Sequence, residues 1–429
     1  MKSSTNYFRI FNISLIALLL VGCNNQPEIN TGLLFEEMID MVNLSEFPNP
    51  TYKTIQFSSY DRRSKLPGGP DWFANSDRFG GEPIPNFEEV ISEPDSAGVG
   101  EYLIADIDGP GAIVRVWTAA IGGNIKMFLD GSSIPVFDGS ADKFFHRPYE
   151  HFNEFEKINT YIFKKTVQQR DASYAPIAFH KHLRIVWKGK INEIHFYQLQ
   201  VRIYENGTLI STFQPKDIKN YAGVINKTSM ALYDPDQNLN VISKEEKIKF
   251  AAKLASSDTK TIIDIKGQKA IEQFTIQLNA ENVDLALRQT ILHIICDNYP
   301  WGQVQSPIGD FFGVAPGINP YNCLPFTVWP DGSMICRFIM PFNESIKIIL
   351  ENKGDQDIEV NGTVLPMQYT WNDNSMHFRT RWRIDNNIMG HNTKIQDLPF
   401  LLANGKGVYI GTTSILMNPA LAPMPHGNW

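Results

Sequence analysis

The sequence predicts an all-β protein made of antiparallel β-sandwiches with a few short helices. Short runs of β-branched and aromatic residues recur with turn residues between them, and few helical periods intervene. The 26 prolines and 30 glycines favour many turns, and therefore many short strands. A chain of 429 residues is long enough for two domains, each with a substantial core.

The composition is that of an ordinary globular protein, with 43% hydrophobic and 20% charged residues. The net charge of -7 argues against a nucleic-acid partner, because proteins that bind nucleic acid present a basic face. Aromatic residues reach 12%, which is compatible with an aromatic-lined ligand surface.

Residues 1–23 are predicted to be a lipoprotein signal peptide. A positively charged start precedes an apolar core at residues 10–21, which is too short to span a bilayer as a typical transmembrane helix. The core ends in Leu-Val-Gly-Cys at Cys23, which resembles the bacterial lipobox, in which the thiol receives diacylglycerol. We therefore expect attachment to a membrane through this N-terminal lipid, in the bacterial cell envelope, either periplasmic or on the outer-membrane surface.

Residues 24–48 are predicted to be a tether that contains a short amphipathic helix. Apolar residues at helical spacing place this helix at about 32–43, where it would dock on the first domain.

Residues 49–266 are predicted to form the first sandwich, with a domain boundary near Lys266–Gly267. Strands are predicted at residues 102–107, 112–117, 125–130, 183–187 and 194–204. Residues 140–175 show no clean period and are interpreted as an insertion loop. A helix is predicted from Ser243 to about Ala255, because Ser243 and Glu246 form a capping box.

The loop after residue 58 carries four candidate substrate-binding residues: Asp61, Arg62, Trp72 and Asp77. Loops dense in carboxylates, guanidinium groups and aromatic rings often form binding sites on a rigid scaffold. The alternative is a loop that is merely pinned by Arg–Asp pairs.

Residues 267–429 are predicted to form the second sandwich. Strands are expected at residues 271–278, 289–296, 345–350, 377–383 and 405–411, and a hairpin is expected around the turn at 329–332.

A glycine-bracketed bend at residues 309–313 in this second domain supplies two more candidates, Asp310 and Phe311. A carboxylate beside flat apolar rings suits a sugar, because hydroxyl groups need acceptors and C–H faces pack on rings. The alternative is a corner in which the phenylalanines are core residues and Asp310 caps backbone amides.

Three further cysteines, Cys296, Cys323 and Cys336, allow either one disulfide with a free thiol or three buried thiols. The histidines at 146, 151, 180 and 182 match no known ligand spacing. No metal and no cofactor are therefore expected.

The order of several motifs carries a family resemblance from about residue 33 to the end of the sequence. Three motifs lie in the first half of the chain: Ser-Ser-Tyr-Asp-Arg at 58–62, Asp-Gly-Pro-Gly-Ala-Ile-Val-Arg at 108–115 and Tyr-Gln-Leu-Gln-Val-Arg-Ile-Tyr at 197–204. Three more follow in the second half: Gly-Asp-Phe-Phe-Gly at 309–313, Met-Pro-Phe at 340–342 and Gly-Lys-Gly-Val-Tyr-Ile-Gly at 405–411. This series resembles a glycoside hydrolase family, long labelled a domain of unknown function, that includes difructose dianhydride I synthase/hydrolase and exo-acting D-arabinofuranosidases.

The resemblance implies two jelly-roll domains, trimers or hexamers, and retaining cleavage of furanosides. A retaining mechanism needs two carboxyl groups about 5–5.5 Å apart. The family pattern places these two glutamates in a Trp-Trp-Gly-Glu-Gly-Asp-Glu run and a Gly-Thr-Gly-Thr-Glu-Asp-Tyr run, and neither run occurs in residues 1–429, although Asn428-Trp429 matches the start of the first. We therefore assign no catalytic residue and expect the second jelly roll to lack its C-terminal strands.

The sequence thus favours an exported lipoprotein of the retaining furanosidase type, with α-D-arabinofuranoside or α-D-fructofuranoside ligands and no activity as this chain. One alternative is a non-catalytic glycan-binding surface lipoprotein. Another is a structural or assembly module, because jelly rolls also build shells. The expected partners are a furanose-containing glycan, further copies of the same chain and a membrane.

Overall fold

The protein is seen in a computed structural model that describes residues 28–74, 86–386, 388 and 398–417. Antiparallel strands dominate it and form two β-sandwiches, each with its own hydrophobic core. The predicted all-β class with a few short helices is therefore confirmed. The signal peptide, Cys23 and Asp77 lie outside the described residues.

The first sandwich contains ten strands among the described residues. They are β1 (Tyr52–Ser58), β2 (Glu89–Ser92), β3 (Val99–Asp108), β4 (Gly111–Ile121), β5 (Asn124–Leu129), β6 (Phe137–Ser140), β7 (Ala172–Ser173), β8 (Ile177–Phe179), β9 (His182–Lys190) and β10 (Ile194–Tyr204). One sheet has the order β1-β10-β4-β7, with β8 also on β4, and the other has the order β2-β3-β9-β5-β6. Buried and half-buried residues alternate along these strands, so each sheet buries one face. On β10, for example, Tyr197, Leu199 and Val201 point into the core while the residues between them are half-buried.

The segment interpreted as an insertion loop, residues 140–175, is instead part of the first core. It forms helices α2 (Ala141–His146) and α3 (Thr160–Thr166), with two 3₁₀ turns between them. Phe144, Phe145 and Tyr149 are fully buried in the first core. The prediction was wrong because burial of aromatic rings needs no regular period when the segment consists of single helical turns.

The second sandwich contains eleven strands among the described residues. They are β11 (Ile248–Leu254), β12 (Thr259–Lys266), β13 (Lys269–Ala280), β14 (Thr290–Cys296), β15 (Val304–Pro307), β16 (Tyr321–Asn322), β17 (Phe326–Val328), β18 (Met334–Cys336), β19 (Met340–Phe342), β20 (Ser345–Asn352) and β21 (Ile358–Met367). One sheet has the order β11-β21-β13-β18-β17-β16, with β19 also on β13, and the other has the order β12-β20-β14-β15.

Three predictions about this half of the chain are wrong. The helix expected from Ser243 is absent, and residues 248–254 form strand β11. Strands β11 and β12 pair with β21 and β20, so the second sandwich begins upstream of the boundary expected near Lys266–Gly267. Residues 377–383 and 405–411, expected as strands, have no regular secondary structure.

Six further helices are present among the described residues. They are α1 (Thr31–Glu37), α4 (Asp217–Asn220), α5 (Ala222–Tyr233), α6 (Pro235–Asn238), α7 (Val283–Gln289) and α8 (Ile308–Phe311). No described helix is long and apolar enough to cross a bilayer.

The N-terminal segment contacts both sandwiches. Helix α1 docks on the first domain as predicted, although it is shorter than expected, and Phe35 lies in the first core. Met41 instead packs with Ala270 and Met367 of the second sandwich, and the amide of Phe47 donates to the carbonyl of Asn374 at 2.8 Å. The segment therefore links the two sandwiches.

The strand register excludes a disulfide between Cys323 and Cys336. Phe326 pairs directly with Cys336 and also accepts a backbone hydrogen bond from Cys323 at 2.8 Å. Cys323 and Cys336 therefore flank Phe326, which separates their Cα atoms by two strand spacings, about 10 Å. A disulfide requires less than about 7 Å. The three thiols are free, and Cys296 and Cys336 are buried as in the second alternative, whereas Cys323 is half-buried.

We expect the thiols of Cys296 and Cys336 to resist a thiol reagent at pH 8 in the folded protein. Burial raises the pKa of each to about 12, and the reactive species is the thiolate. Ellman titration should show both groups only after unfolding in urea. An unchanged thiol count after reduction is also expected, whereas an increase would reveal a disulfide that this fold does not accommodate.

Candidate functional site

A cavity of about 520 Å³ opens beside the end of β1 in the first sandwich, and we call it the sheet-edge cavity. Its lining combines aromatic rings with hydroxyl, amide and carboxylate groups. The lining residues are Gln56, Ser58, Ser59, Tyr60, Asp61, Ser64, Trp72, Ala74, Trp117, Phe196, Tyr197 and Gln198. Two of the predicted site residues, Asp61 and Trp72, therefore lie together here.

The cavity forms where the strand ladder is interrupted. Strand β1 ends at Ser58, and Ser59 then exchanges two hydrogen bonds with Tyr197, each 3.2 Å long. Phe196 adopts φ +51°, a left-handed conformation that non-glycine residues seldom adopt, and the Thr118 hydroxyl donates to its carbonyl at 2.8 Å. Backbone strain of this kind concentrates at ligand sites.

Asp61 is almost completely buried at this cavity and is bound by its own loop. Its carboxylate accepts from the backbone amide of Arg63 at 2.9 Å and from the Arg63 guanidinium at 2.6 Å. The hydrogen bond to Asp61 raises the pKa of Arg63. The Arg–Asp pairing foreseen as the structural alternative is thus present, and it also fixes the carboxylate at the cavity wall.

Arg62 and Trp72 shape the same loop in different ways. The Arg62 guanidinium donates to the carbonyls of Ser58 and Tyr60, at 2.9 and 2.7 Å, and pairs with Glu88 at 2.8 Å. It is not among the lining residues, so its observed role is to hold the loop. The Trp72 carbonyl accepts from the Ser64 hydroxyl at 2.6 Å, while the residue lines the cavity.

Asp310 and Phe311 lie in the second sandwich and do not line the sheet-edge cavity. Gly313 has φ +67°, so the tight bend predicted from the two glycines is present. Phe311 is buried in the core, which leaves no ring face for a sugar. Asp310 is only 10% exposed and binds the Arg288 guanidinium and the Trp382 indole N–H.

We expect Asp310→Asn to reduce the free energy of unfolding by about 1–3 kcal/mol, because Arg288 loses its charged partner. Affinity for a furanoside should stay within about twofold of the wild type. Urea denaturation and calorimetric titration of the same preparations measure the two effects. Loss of affinity at unchanged stability would instead support the sugar-acceptor role predicted from the sequence.

Sequence reasoning missed Tyr60, Trp117, Phe196 and Tyr197 as cavity residues. Trp117 had a detectable signal, since it alternates with buried residues along β4 and so faces outward. Phe196 and Tyr197 had no such signal in the sequence, because their position at the cavity depends on the local break in the strand ladder.

A second cavity, of about 850 Å³, lies beside α2 and contains charges of both signs. Two of its four carboxylates pair with cations, Glu150 with Lys164 at 2.9 Å and Asp171 with Arg170 at 3.7 Å, and Asp142 contacts His146 at 3.1 Å. Within the described ranges, no group of three or more histidine, cysteine, aspartate or glutamate side chains is arranged to hold a metal ion.

Two solved structures illustrate how distant the structural similarities are. "Crystal Structure of the STIV MCP" is 8% identical, with 65% of this chain and 95% of that chain covered and a TM-score of 0.16. "Structure of infectious bursal disease virus Gx strain" is 11% identical, with 80% and 79% covered and a TM-score of 0.17. Scores this low support no structural inference, and a comparison with curated protein sequences gives no match.

Family models identify the chain more securely. The model described as "GH172 first beta-sandwich domain" matches residues 50–221, and the model described as "GH172 domain-like" matches residues 244–364. Together the matches cover more than half of the chain, and they coincide with the two sandwiches. The glycoside hydrolase resemblance read from the motif order is therefore confirmed, and the chain belongs to the GH172 family.

Proposed function

We propose that this chain is an exported lipoprotein that binds a furanose-containing glycan in the sheet-edge cavity. The observation that carries the proposal is the lining itself. Trp72 and Trp117 offer flat apolar rings for the C–H faces of a sugar, and Ser58, Ser59 and Asp61 offer polar groups for its hydroxyls. GH172 membership supports a glycoside ligand, and the family resemblance narrows it to α-D-arabinofuranosides or α-D-fructofuranosides.

We further propose that this polypeptide binds its ligand without cleaving it. Retaining cleavage needs two carboxyl groups about 5–5.5 Å apart, one as nucleophile and one as acid/base. The described lining of the sheet-edge cavity supplies a single carboxylate, Asp61, and Arg63 already occupies it. The other candidate, Asp310, is occupied by Arg288 and Trp382 in the other sandwich.

Calorimetric titration with aryl α-D-arabinofuranosides and α-D-fructofuranosides tests the binding proposal. We expect saturable binding that Trp72→Ala weakens about tenfold or more, equivalent to about 1.4 kcal/mol. Trp301→Ala is the matched control, because Trp301 is 78% exposed in the turn after β14 and should not contact the ligand. Equal loss in both variants, or no loss in Trp72→Ala, would contradict a site in this cavity.

Release of the aryl group, followed in the same samples, tests the second proposal. The binding proposal predicts no release above the uncatalysed rate at saturating ligand. Turnover that is abolished in Asp61→Asn would show that the chain is a hydrolase after all.

The proposal includes the lipid anchor at Cys23, suggested by the lipobox-like sequence, and assembly into a trimer or hexamer, which the family resemblance implies. Mass spectrometry of protein extracted from the cell envelope should find diacylglycerol on Cys23, and light scattering should give three or six times the mass of one chain. A mature protein that starts elsewhere, or a monomer at micromolar concentration, would contradict these parts.

A further inference from the structure

Beyond the sheet-edge cavity, the outer surface of the same sheet carries a group of polar side chains. Gln56 pairs with Gln200 and Gln200 with Arg115, while Ser58 pairs with Gln198 and Gln198 with Trp117. Residues directly opposite one another, and every second residue along a strand, share one face of a sheet. These six residues therefore form one continuous surface, which we call the amide face.

Hydrogen bonds hold the amide face in a defined arrangement. The Gln200 side chain donates to Gln56 Oε1 at 3.0 Å, and the Arg115 guanidinium donates to Gln198 Oε1 at 2.8 Å. Within the part of the chain that the structure describes, Gln200 Oε1 accepts no hydrogen bond, and Arg115 forms no ion pair with a carboxylate. The face thus presents ordered donors and acceptors, and all of its residues except the buried Ser58 are half-buried or exposed.

The chemistry of the amide face matches a sugar rather than an ion or an apolar surface. An amide group offers both a donor and an acceptor, as does a hydroxyl group. Of its six residues only Arg115 is charged, and Trp117 adds a ring on which a sugar can stack. Cross-strand hydrogen bonds of this kind stabilise the sheet, and they also hold the amide groups in fixed positions for a ligand.

The amide face also continues the cavity without interruption. Gln56, Ser58, Trp117 and Gln198 belong to both. Gln200 and Arg115 lie two residues along their strands from Gln198 and Trp117, in the same row as Gln56. Two residues along a strand advance by about 6.6 Å, which is of the order of one sugar unit.

We propose that the ligand is an oligosaccharide of at least two sugar units, the first in the sheet-edge cavity and the next on the amide face against Gln200 and Arg115. This inference rests on the glycan-binding function proposed above. It adds the minimum length of the ligand and the residues that contact its second sugar unit.

Calorimetric titration with a methyl furanoside and with the matching α-linked trisaccharide tests the inference. For the wild-type chain we expect the trisaccharide to bind at least about tenfold more tightly than the monosaccharide. Gln200→Ala should remove most of this difference while monosaccharide affinity stays within about twofold. Gln200→Met removes the amide group but preserves the side-chain volume. It should lose the same difference in affinity as Gln200→Ala, which would show that the loss does not come from a disturbed sheet. Gln273→Ala, at a half-buried position on β13 of the second sandwich, should retain the wild-type difference.

The outcomes are distinct. Equal affinities for monosaccharide and trisaccharide in the wild type would overturn the second subsite and leave the cavity as a monosaccharide site. A length dependence unchanged in both Gln200 variants would also overturn it. Absence of binding by either sugar would overturn the proposed function itself, and the inference with it.

Discussion

Replacing Asp236 with alanine is expected to lower the free energy of unfolding by about 3–5 kcal/mol. Asp236 lies on α6, between the two sandwiches, and pairs with Arg337 beside β18. The Arg337 side chain is only 6% exposed, and Nη2, the guanidinium nitrogen that binds Asp236, also donates to the Thr327 hydroxyl at 2.8 Å. Removing Asp236 would leave a buried cation without its counter-charge. Urea denaturation followed by tryptophan fluorescence measures the loss.

Two matched variants separate charge burial from simple truncation. Glu359→Ala breaks the Lys253–Glu359 pair, whose side chains are 80% and 58% exposed, and should leave the free energy of unfolding nearly unchanged. The double variant Asp236→Ala/Arg337→Met should recover most of the stability lost in Asp236→Ala, because no buried charge remains. A double variant no more stable than the single one would show that Asp236 acts through another contact.

Replacing Asp297 with alanine should lower the free energy of unfolding by about 2–4 kcal/mol. Its carboxylate accepts hydrogen bonds from the backbone amides of Asn343, Glu344 and Ser345 at 2.7–3.1 Å, and contacts His377 Nε2 at 2.8 Å. Asp297 also has φ +52°, a conformation that alanine adopts at an additional cost of about 1–2 kcal/mol. Chemical denaturation at pH 7 measures the combined loss.

Asp297 should also make stability depend on acidity. Burial raises the pKa of this carboxyl, but the amide and histidine hydrogen bonds outweigh burial, so the pKa in the folded state lies below its ordinary value. The stabilisation is therefore complete above about pH 4, the ordinary value for an unfolded aspartate, and is lost as the pH falls through the folded pKa. Asp297→Asn, which tolerates the same backbone angles, should lose stability at pH 7 and approach the wild type near pH 2. A constant difference between the two proteins from pH 7 to pH 2 would contradict this role.

Much of the fold could be predicted from the sequence because strands that bury one face alternate in polarity. Strands β3, β4, β9 and β10 were placed within a few residues of their observed ends for this reason. Residues 377–383 also alternate, yet they form no strand in the structure. Alternation alone therefore indicates an extended backbone but does not supply a pairing partner.

The false helix at residue 243 has a different cause. Ser243 does cap a neighbouring backbone amide, that of Glu245, at 3.0 Å, as a helix N-cap would. However, its hydroxyl also donates to the carbonyl of Pro366, and its own amide donates to Glu272 at 2.7 Å. Glu272 accepts from the Ser243 amide in place of Glu246, which would accept from it in a capping box. No local sequence pattern reveals that a distant residue takes this role.

The candidate site was predictable only in part. Asp61 and Trp72 stand out because their loop is dense in charge and aromatic rings, and both reach the sheet-edge cavity. Asp310 and Phe311 stand out for the same reason, but packing directs Phe311 into the core and Arg288 occupies Asp310. Composition identifies groups that suit a sugar, whereas only the tertiary fold decides which of them face a cavity.

A crystal structure of this protein with a bound furanoside oligosaccharide is the most direct test of the account. We expect one sugar unit in the sheet-edge cavity, with its C–H face against Trp72 or Trp117 and hydroxyl groups hydrogen-bonded to Ser58, Ser59 or Asp61. The intact glycosidic bond should be visible after prolonged soaking. Sugar density beside Asp310 in the second sandwich with the sheet-edge cavity empty, or a cleaved ligand, would contradict it.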